Sequence, residues 1–192
     1  TRSPVDIINE IVYRYTVEGV THFDIEDDNF TFKKSFVHAL LDQIIEISLP
    51  ITFSAMNGVS YLSLDETILK KMKRAGFSSL NLALVSQDAV VREFSERPHT
   101  IDAFYTTVTL ATQIGFTITA YLILGMPGQT LVEMVETLKI LASQRVLVGA
   151  SPFYFTPNSP IHKKEHHNKP LMLASSNRDP WFSARLTTMD LE

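Results

Sequence analysis

The chain has 192 residues, 45% hydrophobic and 20% charged, with a net charge of −4 at pH 7, enough for one domain with a real core and giving no electrostatic case for nucleic acid or an anionic membrane. It contains no cysteine, which excludes disulfides, thiol nucleophiles and any metal or iron–sulfur site held by thiolates of these residues. No apolar run approaches the roughly 18 residues of a spanning helix, and the first residues lack the basic-then-apolar layout of a signal peptide, so a cytoplasmic protein is expected.

The chain opens on a predicted helix. Ser3 suits the N-cap, Pro4 the first helical position and Asp6 the first turn. Val5, Ile8, Val12 and Tyr15 mark a buried stripe, and Gly19 closes the helix. Strands are then expected at 21–26, 51–56, 80–85, 117–124 and 148–155, with helices at about 33–48, 64–75, 100–114 and 131–145 between them. The unit recurs every 30 residues or so, the size of one βα step. Strands alternating with helices imply parallel strands with helices outside, in an open doubly wound sheet or a TIM-type barrel. Five strands are too few to close an eight-stranded barrel, and a leading helix suggests a missing first strand. Such a gap would leave a parallel edge open to self-association. Met56, Met72, Met126 and Met134 are expected in the core. The domain is expected to run over 1–161; the polar, basic "IHKKEHHNKP" then opens a tail over 162–192, read as a loop and a peripheral helix. His162 and His166 in it are read as solvated.

The first strand runs into "FDIEDDNF". Alternation sends Phe23 and Ile25 to one face and His22, Asp24 and Glu26 to the other. The apolar set suits helix packing. The polar set must be hydrogen-bonded, solvated or awaiting a ligand, because unpartnered burial costs several kcal/mol. Asp27, Asp28 and Asn29 follow at the strand's C-terminal end, where α/β folds place their sites; the plainer reading has Asp28 or Thr31 capping the next helix. In the third strand Leu80, Leu82 and Leu84 share one face, and Asn81, Ala83 and Val85 the other. The fourth ends in "LILGMPGQT", where two glycines about Met-Pro turn the backbone sharply.

Taken in order, "VTHFDIEDDNFTFKKSFVHALLDQI", "FSAMNGVSYLSLDETILKKMKRAGFSSLNLALVSQD", "ERPHTIDAFYTTVTLATQIGFTITAYLILGMPGQTLVEMVETLKIL" and "FYFTPNSPI" resemble the radical S-adenosylmethionine (radical SAM) superfamily, over about residues 2–161. The likeness is to the branch whose members often carry an upstream cobalamin-binding domain. It implies a partial (β/α)6 barrel with S-adenosylmethionine across the C-terminal strand ends and a [4Fe–4S] cluster held by a CxxxCxxC loop after the first strand. With no cysteine, the chain is expected to be five parallel strands of such a barrel with their outer helices, lacking the first strand and the cluster loop, and inactive alone. The parent enzyme would cleave S-adenosylmethionine reductively to start radical chemistry on an unknown substrate, with cobalamin as a further cofactor of the parent.

The resemblance also assigns residues. Glu26, Asp27 and Asp28 match the segment that meets the methionine amine, and Ser54 and Asn57 would line the same mouth. Where the family usually places a glutamate near the ribose, this chain has Val85; Ser86 and Gln87 follow and would bond a ribose hydroxyl. Leu124, Gly125 and Met126 match the segment beneath adenine, and Gln129 stands where the family often has Glu. Two rival readings remain at this stage: a cysteine-free module that binds a nucleoside or a partner without catalysis, and an unrelated α/β enzyme using Glu26, Asp27 or Asp28 to hold Mg²⁺ or as an acid/base pair.

Overall fold

The computed structural model describes residues 2–27, 29–95, 100–126 and 129–153. Asp28, Pro127, Gly128, the end of the fifth expected strand and the whole 162–192 tail with His162 and His166 lie outside the described residues. The fold is α/β, with parallel strands in a two-stranded and a three-stranded sheet. The described residues divide into two compact units. One takes the chain as far as Ala83, then Asp102–Ala120 and Arg145–Leu147; the other takes Leu84–Ile101, Tyr121–Gln144 and the residues from Val148.

In the first unit the leading helix α1 (Pro4–Glu18) forms as its caps dictate. Ser3 Oγ accepts from the Asp6 N–H, the Asp6 carboxylate reaches back to the Ser3 N–H, and Gly19 closes the end at φ 70°. Ile8 and Ile11 are the buried pair, while Val5 is 55% exposed. The expected stripe was one residue out of phase at its start: with Pro4 on the inner face, Ile8, Ile11 and Tyr15 follow, and Val5 is turned about 100° away. Strand β1 (His22–Asp24), helix α2 (Lys34–Ile47), strand β2 (Thr52–Ser54) and helix α3 (Glu66–Ala75) come next. Helix α2 packs against both α1 and α3. A 3-10 turn at Tyr61–Ser63, unforeseen in the sequence, presents Tyr61 edge-on to Phe104. The core of the unit is an aromatic stack in which Phe53 lies 5.8 Å from Phe23 and 5.3 Å from Phe77, and Phe77 lies 5.9 Å from Phe30.

Strand β3 (Ser79–Val85), helix α4 (Ala89–Phe94), helix α5 (Ile101–Ile114), strand β4 (Thr117–Leu124), helix α6 (Leu131–Ala142) and strand β5 (Leu147–Pro152) complete the order. The three strands lie side by side as β3-β4-β5. Leu80, Leu82 and Leu84 are all buried, as their shared face required. Helix α4 was not foreseen. It exists because Asp88 caps it, accepting from the N–H groups of Val90 and Val91. In the second unit Val85, Val91 and Met126 form an apolar cluster with Ile123 and Phe153 against it. Met72, Met126 and Met134 are core residues as expected, but Met56 is 60% exposed, because β2 has already ended before it.

Two left-handed glycines make the packing testable. A Cβ on Gly76 would sit 2.6 Å from the Ile51 carbonyl oxygen, whereas one on Gly19 would meet nothing within 4 Å. Gly19→Ala is expected to cost about 1 kcal/mol, the left-handed strain alone. Gly76→Ala should cost about 1–3 kcal/mol more, since backbone must also move. Equal shifts in urea midpoint for the two variants would contradict the close approach.

Candidate functional site

Strands β1 and β2 run parallel with His22 beside Thr52, Phe23 beside Phe53 and Asp24 beside Ser54. One face is the aromatic stack; the other is a hydrogen-bonded ladder of polar side chains. Ser54 Oγ donates to Asp24 Oδ1 at 2.6 Å, and the Met56 N–H donates to the same oxygen at 3.0 Å. Since the single Ser54 proton goes to Asp24, the 3.1 Å contact with His22 requires the hydrogen on His22 Nε2. His22 Nδ1 then accepts from the Thr52 hydroxyl at 2.8 Å when the ring is neutral. Beyond the strand end, Asn57 Nδ2 donates to Glu26 Oε2 at 2.9 Å.

The structure therefore brings Glu26, Ser54 and Asn57 together around Asp24, a residue the sequence placed on this face without assigning it a role. Asp27 stands apart: its Oδ1 accepts from the Asn29 N–H at 2.9 Å, a local turn. Thr31 bonds Asn29 and Ser63 rather than capping α2, whose N-cap Lys33 makes no side-chain bond. The Ser54 hydroxyl above all holds the Asp24 carboxyl below the usual carboxylate range, with the Met56 N–H, Glu26 and His22 adding to the shift and burial opposing it. Both Asp24 and Glu26 are exposed. Among the described residues neither has a lysine or arginine at ion-pair distance, although α2 and α3 acids such as Asp42 and Glu66 do.

The second unit carries the other assigned residues. β3 ends in a three-residue turn in which the Ser86 N–H bonds the Leu84 carbonyl, with Val85 at φ 71°. A β-branched residue in the left-handed region is strained. Ser86 is fully buried, and its hydroxyl donates to Glu133 while accepting from the Asp88 N–H. Gln87 is half-buried, and its side-chain amide makes no hydrogen bond among the described residues. At the end of β4, Gly125 sits at φ 80° and Met126 is buried, while Leu124 is half-buried and accepts from the Phe153 N–H at 2.7 Å. Gln129, also buried, braces this segment: its Oε1 accepts from the Met126 N–H at 2.9 Å and its Nε2 donates to the Ile123 carbonyl at 3.1 Å. An ionised glutamate there could not make the second bond. Glu133 and Arg92 were not singled out from the sequence; the only cue was the Thr-x-x-Glu pattern of Thr130 and Glu133.

Parallel strands with intervening helices and polar groups at strand ends are the pattern of a (β/α) barrel. The family model of the Radical SAM superfamily matches residues 2–141. The chain belongs to that superfamily. It is 25% identical over 140 residues to cytidylyl-2-hydroxyethylphosphonate methyltransferase of Streptomyces wedmorensis, a match covering 69% of this chain and 26% of that protein. In fold it is similar to the radical S-adenosylmethionine methyltransferase TsrM of Kitasatospora setae, solved with cobalamin and a [4Fe–4S] cluster. The TM-score is 0.72 at 17% identity, over 85% of this chain and 33% of that one. It is also similar to the radical SAM coproporphyrinogen III oxidase of Escherichia coli, with TM-score 0.61 at 18% identity, over 82% of this chain and 39% of that one. The chain thus spans about a quarter to two fifths of the length of these relatives.

Two variants test the geometry. Ser54→Ala removes the main cause of the depressed Asp24 pKa, so carbon-detected NMR titration should show it rising toward the ordinary aspartate value. Because the folded value is depressed, the stability Asp24 contributes is present above that unfolded value and is lost as pH falls through the folded one. Ser54→Ala should flatten that acid-side slope; an unchanged titration would break the ladder. Gln129→Glu should cost about 1–3 kcal/mol at pH 7, where a buried carboxylate faces the Ile123 carbonyl. The cost should shrink on acidification as an O–H donor returns, measured by urea melts at several pH values.

Proposed function

We propose that this chain is the S-adenosylmethionine-binding core of a radical SAM enzyme and works with cluster ligands supplied by polypeptide outside these 192 residues. The observation that carries the reading is the Asp24–Glu26 pair, held in place by the neutral donors Ser54, Met56 N–H and Asn57, with no lysine or arginine at ion-pair distance among the described residues. Acids held this way keep their charge for a cation from solution. The methionine amine of S-adenosylmethionine is such a cation, and Glu26, Asp24 and Asn57 would hold it. Asp27 and Asp28 belong to this segment by the resemblance to the superfamily. S-adenosylmethionine supplies, when bound, a sulfonium whose reductive cleavage starts radical chemistry.

The cluster does not fit this chain, which has no cysteine to donate a thiolate. Cobalamin, bound in the TsrM structure, would belong to a further domain, and no residue of this chain is assigned to it. Two of the relatives are named as methyltransferases, which supports methyl transfer as the reaction class of the whole enzyme, on a substrate not specified by these residues. The metal-dependent alternative gains no support: among the described residues no group of three His, Asp or Glu is placed to hold a metal ion.

Titration calorimetry of the 192-residue chain with S-adenosylhomocysteine and with S-adenosylmethionine is the test. Both should bind, and Glu26→Gln and Asp24→Asn should each weaken binding about tenfold, the worth of one charge-assisted hydrogen bond. Iron and sulfide added anaerobically should build no cluster on this chain. Binding indifferent to Glu26 and Asp24 would overturn the amine site.

A further inference from the structure

Just past β2 the chain turns back on itself over Ala55, Met56, Asn57 and Gly58, where the Gly58 N–H donates to the Ala55 carbonyl at 3.0 Å. Gly58 sits at φ 90°, and a Cβ on it would lie 3.2 Å from the Asn81 carbonyl oxygen. Backbone angle and space both call for glycine here. Asn57 before it is exposed, and its amide donates to Glu26 Oε2 at 2.9 Å. The fold therefore places an exposed asparagine directly before a residue with no side chain. No other asparagine of the sequence precedes a glycine.

Such a pair reacts with itself. A bond between the Asn57 side-chain carbonyl carbon and the Gly58 backbone nitrogen closes a five-membered ring, and glycine has no Cβ to hinder the approach. We propose that Asn57 is a self-modification site, at which the Gly58 nitrogen displaces the side-chain amide. The N–Cγ bond forms and the Cγ–Nδ2 bond breaks. The Gly58 N–H proton passes through solvent to the departing nitrogen, which leaves as ammonia. Water then opens the succinimide, at one carbonyl to give aspartate and at the other to give isoaspartate. No oxidant or reductant is consumed.

The structure sets both the pace and the consequence. Two hydrogen bonds hold the reactants, Gly58 N–H to Ala55 and Asn57 Nδ2 to Glu26, and each must open before attack. The folded chain therefore reacts more slowly than the unfolded one, through local opening of an exposed turn. Either product replaces a donor on Glu26 with a carboxylate, which only accepts. Glu26 loses the bond that orients it and gains a like charge beside it. Isoaspartate also adds a carbon to the backbone close to the Val59 N–H, which pairs with the Asn81 carbonyl at 3.0 Å. No ligand enters this chemistry.

The test is peptide mass spectrometry of the folded 192-residue chain aged at neutral and mildly alkaline pH, beside the same chain in urea. The Asn57 peptide should gain the mass of an amide turned to acid, with isoaspartate present, while the other asparagines keep theirs. The rate should rise with pH, because the attacking nitrogen must shed its proton. It should rise by about tenfold in urea, the worth of one hydrogen bond no longer holding that nitrogen. Asn57→Gln, whose longer side chain closes only a six-membered ring, should abolish the gain. Asn57→Asp reproduces one product: its urea midpoint should fall below the parent's at pH 7, and the deficit should shrink on acidification as a facing carboxylate protonates. A folded chain that gains no mass at Asn57 while the unfolded chain does overturns the site, as does a gain shared equally among the asparagines. A midpoint for Asn57→Asp equal to the parent's at pH 7 overturns the consequence for Glu26.

Discussion

Residue by residue, a strand sends its side chains to opposite faces, and a face covered by helices accepts only apolar ones. The rest of this molecule follows from that. Phe23 and Phe53 must stack on the helix side with Phe77, which leaves His22, Asp24, Thr52 and Ser54 aligned on the other by parallel register. Their hydrogen bonds are consequences of the register: a slip of one residue would bury the acids and expose the rings. The strand end adds what the ladder lacks, a free backbone N–H from Met56 to complete the hold on Asp24.

The acids divide by the kind of partner they have. On the helices, Asp42, Asp65 and Glu66 each face a lysine within 2.6 Å, and those charges are already answered. Asp24, Glu26 and Glu133 are oriented by hydroxyls and amides. Neutral donors fix direction without cancelling charge. Two of these uncancelled acids, Asp24 and Glu26, lie at or just past the end of β1, and the chain has no thiolate among its residues.

Much of this was legible in the sequence. The leading helix followed from its cap, because Ser3 acts within three residues of itself, and the other helices followed from periodicity; their caps Asp65 and Thr130 were not read from the sequence. The acid ladder was half visible, since alternation placed His22, Asp24 and Glu26 on one face but could not say that Ser54, 30 residues on, would meet Asp24. Glu133 was invisible as more than a capping residue, because its partner Ser86 lies 47 positions away. Met56 was misplaced because an apolar residue two steps past a strand end has no sheet to cover it. Helix α4 was missed because six residues are too few for a period to show.

The turn at Val85 ties local geometry to bulk packing. Glycine or asparagine would hold a left-handed backbone with less strain, yet the isopropyl group is kept and buried against Val91 and Met126. The residue is thus a loaded spring with the apolar cluster as its catch. Loosening that cluster, by heat or by a cavity at Met126, removes the packing that holds the strained turn. The second unit would then change shape at one turn while still folded, a change that a melting curve would overlook and hydrogen exchange at the Ser86 and Gln87 amides would record.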